Sequence, residues 1–165
     1  MTGYLLDTNA CDALINGSPP EVRRRFERVI AGNAVVLLSS IASFELWYGV
    51  GKSQRTALEA ARLETFLAGP LEWVVFEEQD AREAGAIRAE LEQAGRPIGA
   101  YDVLLAGQAR RLGATLVTSN VREFERVAGL RWEYWAAPRA RRNARRVENG
   151  RGRLDWVVDA AWRRP

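Results

Sequence analysis

Short apolar runs separated by longer stretches of helical periodicity constrain this chain more than any other feature. The strand candidates are Tyr4 to Asp7, Val35 to Leu38, Trp73 to Phe76, Thr115 to Val117 and Arg131 to Glu133. Between them, helical patterns run over Ala10 to Ile15, Pro20 to Ala31, Ala42 to Val50, Thr56 to Ala68, Gln79 to Ala94 and Ala100 to Leu112. Runs so short and so continuously apolar suit strands buried on both faces. Their alternation with helices predicts an α/β domain, a mostly parallel central sheet covered by helices. Pro19 stands where a helix should begin, and Gly95, Gly99 and Gly113 punctuate helix ends.

With 165 residues, 47% of them hydrophobic, the chain can bury one real core and is short for two. No apolar run approaches the roughly 18 residues of a membrane span, and the first residues lack the basic-then-apolar layout of a signal peptide. A cytoplasmic protein without membrane contact is therefore expected. The single Cys11 rules out an internal disulfide, and the absence of histidine removes the usual zinc ligands, serine-protease triads and imidazole acid–base chemistry. Carboxylates remain as the candidates for catalysis.

The net charge of +3 hides an asymmetry. Residues 136–165 hold nine arginines against three acids, a surplus of six, which leaves the first 135 residues at −3. We divide the chain accordingly into a domain over 1–135 and an arginine-rich extension over 136–165. Such an extension reads as solvated, with nonspecific affinity for nucleic acid as its functional alternative. Within it, Leu154, Val157, Val158 and Ala161 fall at helical spacing, which predicts a short amphipathic helix over 154–165.

Three carboxylates occupy unusual settings. Asp7 ends an apolar strand, with Thr8 and Asn9 directly behind it. It could be a turn former or helix cap, yet ligands in open parallel sheets bind outside the carboxyl ends of strands. Glu45 sits in SSIASFELWYG among Phe44, Leu46 and Trp47, and an acid in so apolar a helix needs a partner. Asp102, in PIGAYDVLLAGQA, enters another apolar helix, where the macrodipole also favours it. The segment Gly51, Lys52, Ser53 imitates the end of a phosphate-binding loop but lacks its first glycine, since position 46 is Leu46. No GxGxxG is present to cradle a dinucleotide.

YLLDTNACDALI, SSIASFELWYGV, PIGAYDVLLAGQA and TLVTSNVREFERVAGL, in that order and spacing, resemble the PIN-domain ribonucleases, and within them the VapC-type toxins of bacterial toxin–antitoxin modules. The resemblance covers residues 3 to about 135. It implies a three-layer α/β/α fold, magnesium-dependent cleavage of RNA with manganese as a substitute ion, a homodimer, and a cognate antitoxin that inhibits the enzyme. The family's acidic cluster carries over to Asp7, Glu45 and Asp102. Its fourth position falls in TSNVREF, where this chain has Asn120 instead of an aspartate.

The residues suit that chemistry. Magnesium takes oxygen ligands and keeps several waters, so one or two carboxylates per ion suffice. A bound ion would lower the pKa of its water and neutralise charge on the attacked phosphodiester. Asp7 and Asp102 are then the expected metal ligands, with Glu45 ligating metal or orienting its water. Thr8 and Asn9 would hold Asp7 in place or touch substrate, and Glu123, one turn beyond Asn120, could supply the charge missing there. A haloacid-dehalogenase-like phosphotransferase fits less well, because its second aspartate would fall at Asn9. An inactive module that binds RNA or a protein partner is the other alternative, and Asn120 favours it. Trp47, Tyr48, Tyr101 and Trp132 could stack bases, but core or dimer contacts are the expected role.

Overall fold

The computed structural model describes residues 3–136 throughout and, beyond them, only the backbone of 141–142, 146–148 and 154–156. Five parallel strands form the sheet: β1 (Tyr4–Leu6), β2 (Val36–Ser39), β3 (Glu72–Val74), β4 (Thr115–Val117) and β5 (Arg131–Tyr134). Their order is β3-β2-β1-β4-β5, and β6 (Arg141–Arg142) adds antiparallel to the β5 edge. The chain thus starts in the middle of the sheet and lays strands outward on either side. In register, Leu5 lies between Leu37 and Leu116, and Leu6 between Leu38 and Val117. All four residues of β2 are buried, so both faces of the sheet are covered.

The covering helices are α1 (Thr8–Asn16), α2 (Pro20–Ala31), α3 (Ser40–Lys52), α4 (Thr56–Leu67), α5 (Glu78–Gln93), α6 (Ala100–Leu112) and the single-turn α7 (Val121–Phe124). Local chemistry sets their ends. Asp7 caps α1 by accepting from the Ala10 amide, and Ser39 caps α3 by accepting from Ile41. These caps start the two helices at Thr8 and Ser40, two residues earlier than the apolar periodicity predicts. Pro20 is the first residue of α2, where its missing N–H costs nothing. Gly113 closes α6 in the left-handed region, at φ 61°.

The core joins the central strands to the inner faces of the helices, with Leu5, Leu38, Leu105, Leu116 and Phe124 all inaccessible. Each such side chain contributes roughly 1.5–3 kcal/mol by its removal from water. One helix pair is clamped more tightly. A Cβ on Gly107 of α6 would lie 2.6 Å from the Ala84 amide nitrogen of α5, so only glycine permits this approach. Around it, Arg110 bonds Glu83 at 2.5 Å, Arg111 pairs with the fully buried Asp80, and the Gln108 amide donates to the Val75 carbonyl at 3.0 Å. Asp80 also accepts from the Glu77 amide to cap α5. These contacts hold the C-terminal half of α6 against α5, and the first turn of the same helix carries Asp102.

The extension departs from its sequence reading. Leu154–Trp156, expected to open a helix, is a strand, β8, paired antiparallel with β7 (Arg146–Glu148). Leu154 and Trp156 flank Asp155 in an alternating pattern that serves a strand equally well. The remainder of the expected helix lies outside the described residues. Trp132 is core, whereas Phe44, Trp47, Tyr48 and Tyr101 are exposed. Among the described residues, no helix is long and apolar enough to cross a membrane.

Candidate active site

The three acids arrive from different parts of the sequence at the carboxyl end of the sheet. Asp7 follows β1 directly, and its amide extends the ladder by donating to the Val117 carbonyl at 3.0 Å. Glu45 projects from α3, which begins where β2 ends, and Asp102 lies in the first turn of α6. Asp7 is both a cap and a candidate ligand: Oδ1 accepts from the Ala10 amide at 2.7 Å, while Oδ2 is buried without a hydrogen-bond partner. A buried carboxylate oxygen left in that state costs free energy unless a cation or proton meets it.

Electrostatics ties the acids together. Burial pushes the Asp7 carboxyl from its ordinary 3.8 up to about 7; Thr118, the Ala10 amide and Asn9 oppose this, and the Asp102 charge adds to it. Burial raises Asp102 to about 6, assisted by the charges of Glu45 and Glu123 and opposed by Asn120. Asp12, one turn beyond Thr8 on α1, is also raised, by burial and then by Glu45. Five carboxylates, Asp7, Asp12, Glu45, Asp102 and Glu123, are therefore linked by mutual repulsion here, an arrangement that a bound cation would relieve.

The polar neighbours have specific places. The Thr8 hydroxyl donates to Glu45 Oε2 at 2.5 Å, so it positions Glu45 directly. Asn9 lies exposed at the rim. Asn120 occupies the N-cap position of α7 without a side-chain cap bond, donates its own amide to the Thr118 hydroxyl at 2.8 Å, and donates from Nδ2 to Asp102 Oδ2 at 3.2 Å. Glu123 is on α7, within electrostatic reach of Asp102 and 3.8 Å from Arg126. Gly99, capping α6, leaves room for the Asp102 carboxylate, whose Oδ2 would lie 3.0 Å from any Cβ added there.

The sequence reading did not single out Thr118 or Asp12. Thr118 holds the same position after β4 that Asp7 holds after β1, and a hydroxyl behind an apolar strand was the available signal. Asp12 shares the face of α1 that carries Thr8, at a spacing of four residues.

The donor set suits a hard cation held by few protein ligands. It offers only oxygens, with one acid oxygen unpartnered and two acids raised toward neutrality. Among the described residues, no group of three or more His, Cys, Asp or Glu side chains is placed to hold a metal ion together. Magnesium does not require such a cage, since it usually keeps several waters and binds through one or two carboxylates.

A PIN domain matches residues 4–130. The chain is 40% identical over 136 residues to the tRNA(fMet)-specific endonuclease VapC of Shigella flexneri, covering 82% of this chain and all of that protein. It is 40% identical to ribonuclease VapC2 of Rickettsia felis, covering 80% of this chain and 97% of the relative. Among solved structures, a chain in DNA-bound VapBC from Salmonella typhimurium superposes with a TM-score of 0.75 at 40% identity, covering 82% of this chain and 100% of its own length. A chain in VapBC2 from Rickettsia felis bound to a promoter DNA fragment gives 0.75 at 39% identity, over 80% and 98%.

Proposed function

The chain belongs to the PIN-domain family, among the VapC ribonucleases of toxin–antitoxin modules, and from that premise we propose that it is a magnesium-dependent endoribonuclease hydrolysing RNA phosphodiester bonds. Manganese would substitute, a homodimer is the working form, and a cognate antitoxin is its inhibitor. Residues 1–135 would carry the activity and 136–165 would add basic contacts. The observation that carries the catalytic part is Asp7 Oδ2: buried, unpartnered, at the carboxyl end of the central strand, in a group whose pKa is lifted to about 7.

In this reading Asp7 and Asp102 hold the cation, which when bound would stabilise charge on the phosphodiester and make water a better nucleophile. Glu45, fixed by the Thr8 hydroxyl, orients the attacking water and accepts its proton. Water oxygen bonds to phosphorus, the bond from phosphorus to the leaving ribose oxygen breaks, and that oxygen takes a proton from solvent while the proton held by Glu45 is released to solvent. Asn120 keeps Asp102 in its rotamer through the Nδ2 contact.

Antitoxins of the two-gene modules that include VapBC suit this site if they place a basic side chain among the acids. An arginine fork would match paired carboxylates where the cation would otherwise sit. Cleavage of single-stranded RNA by the purified chain, with magnesium and with chelator, tests the nuclease reading. Activity should vanish in chelator and in Asp7→Asn; full activity in either would overturn the metal mechanism. Co-expression with the product of the adjacent gene should yield a silent complex, and growth arrest on expressing the chain alone should be relieved. Asn120 is the one observation favouring a catalytically weak RNA- or partner-binding module, and RNA binding without cleavage in the same assay would decide for it.

A further inference from the structure

A cavity of about 350 Å3 opens beside the acidic cluster, between α1, the start of α2 and the ends of β4 and β5. Neither Glu45 nor Asp102 lines it. It nevertheless reaches the reacting centre, because it is lined by Ala10, whose amide donates to Asp7 Oδ1 at 2.7 Å, and by Val117, whose carbonyl accepts from the Asp7 amide at 3.0 Å. Its walls are of two kinds. Val22 and Tyr134 supply apolar and aromatic surface, while Asn9, Asn16 and Ser119 supply groups that both donate and accept. We infer that this cavity seats one unstacked nucleobase of a single-stranded RNA, next to the phosphodiester held at Asp7. The inference rests on the ribonuclease reading and adds to it the part of the substrate that is recognised.

Three features favour a base over other occupants. The volume lies at the low end of small-molecule pockets, enough for one base with part of its ribose and too small for a stacked pair or a duplex. The Asp12 carboxylate at the wall repels a phosphate but tolerates a neutral ring. An apolar and aromatic interior edged by carboxamides and a hydroxyl matches a planar π face bordered by hydrogen-bonding edges, which is how single-stranded RNA is read. A seated base would also orient the adjoining phosphate, so occupancy should act on cleavage as well as on affinity.

The full chain and a set of short single-stranded oligoribonucleotides test this, each with one nucleotide near the cleaved bond varied or replaced by an abasic site. Cleavage should fall about tenfold or more when the abasic site occupies one position, as for loss of one stacked base. Ser119→Phe, at an exposed wall position, should plug the cavity and remove both that penalty and any base preference. Binding of the same oligonucleotides to Asp7→Asn reads the cavity without any cutting, and there too the abasic form should bind about tenfold more weakly. An active wild type indifferent to abasic substitution at every position, or Asp7→Asn binding both forms equally, would overturn the inference while leaving the nuclease reading intact. A wild type that binds the intact form selectively yet never cuts would uphold the cavity and overturn the nuclease reading.

Discussion

The Nδ2 amide of Asn120 donates to Oδ2 of Asp102 at 3.2 Å. This contact favours the ionised form of Asp102 against the burial, Glu45 and Glu123 that together raise its pKa to about 6. An amide at this place is thus a neutral brace on an acid that already has charged neighbours.

Asn120→Asp exchanges the brace for a further negative charge. Without metal it should raise the Asp102 pKa further; with metal it should add a charged ligand and lower the magnesium concentration at half-maximal cleavage. Asn120→Ala removes the brace alone and should cost roughly tenfold in rate. Asp102→Asn should cost more, on the order of a hundredfold or greater, because it removes charge from the site itself. Titrating cleavage against magnesium for the three variants checks the ranking, which fails if Asn120→Ala is as inactive as Asp102→Asn.

Asp7 makes the metal-free protein sensitive to pH. Its carboxyl titrates at about 7 in the fold against an ordinary 3.8, so between those values the folded chain holds a proton that the unfolded chain has released. Its stabilising contribution is therefore complete in acid, and it is lost as pH rises from about 4 through about 7, a change on the order of a few kcal/mol. In chelator, Asp7→Asn should be more stable than the parent at pH 8 and should lose that advantage near pH 4.5. Urea denaturation at the two pH values measures it. Magnesium at pH 8 should stabilise the parent more than the variant, and equal stabilisation of both would count against Asp7 as a ligand.

Gly99 offers a way to move Asp102 without changing it. The backbone there, at φ −56°, accepts alanine, but the new methyl carbon would lie 3.0 Å from Asp102 Oδ2 and 3.5 Å from its Cγ. Gly99→Ala should therefore displace the carboxylate while stability stays within about 1 kcal/mol of the parent. Cleavage should drop roughly tenfold or more, since small misplacements of catalytic groups are costly. Unchanged activity would mean that the Asp102 rotamer has slack.

The parts of this molecule legible in its sequence are those set by local rules. Thr115–Val117 and Ala100–Leu112 take the boundaries read from the chain, because a doubly buried strand must be continuously apolar and a helix must end where glycine reverses the backbone. The strand near Trp73 starts one residue early and ends at Val74. It lies at the sheet edge with Glu72 and Trp73 exposed, so burial imposes little pattern. Asp7 stood out because an acid closing an apolar strand is costly. The pairing of Thr8 with Glu45 was invisible, since 37 residues separate them and only the β1–β2 register brings them together. Asp80 was equally hidden. In a helix rich in charge, nothing local reveals that one acid is inaccessible and answered by Arg111 from another helix. The exposed Phe44, Tyr48 and Tyr101, with Phe44 and Tyr101 ring centroids 5.5 Å apart, could not be told from the core residue Trp132 by composition.

Gly107 tests whether the clamp between α5 and α6 serves the site as well as the core. A methyl group there would lie 2.6–2.7 Å from the Ala84 backbone nitrogen, Cα and Cβ, and two of those atoms are backbone that no rotamer change can move. The helices must separate to admit it. Glycine to alanine inside a helix ordinarily gains up to about 1 kcal/mol in propensity, so any net loss measures the clash. Overpacking costs about 1–3 kcal/mol, and parting the helices also stretches the contacts of Arg110 with Glu83 and of Arg111 with Asp80. Gly107→Ala should therefore lower stability by about 1–2 kcal/mol net, read as a fall in the urea midpoint. Because Asp102 rides on the same helix, cleavage by the still-folded fraction should fall too, and Ala84→Gly, which removes one of the three clashing atoms, should recover part of both. A Gly107→Ala protein as stable as the parent would mean that the two helices are not held at this distance in solution.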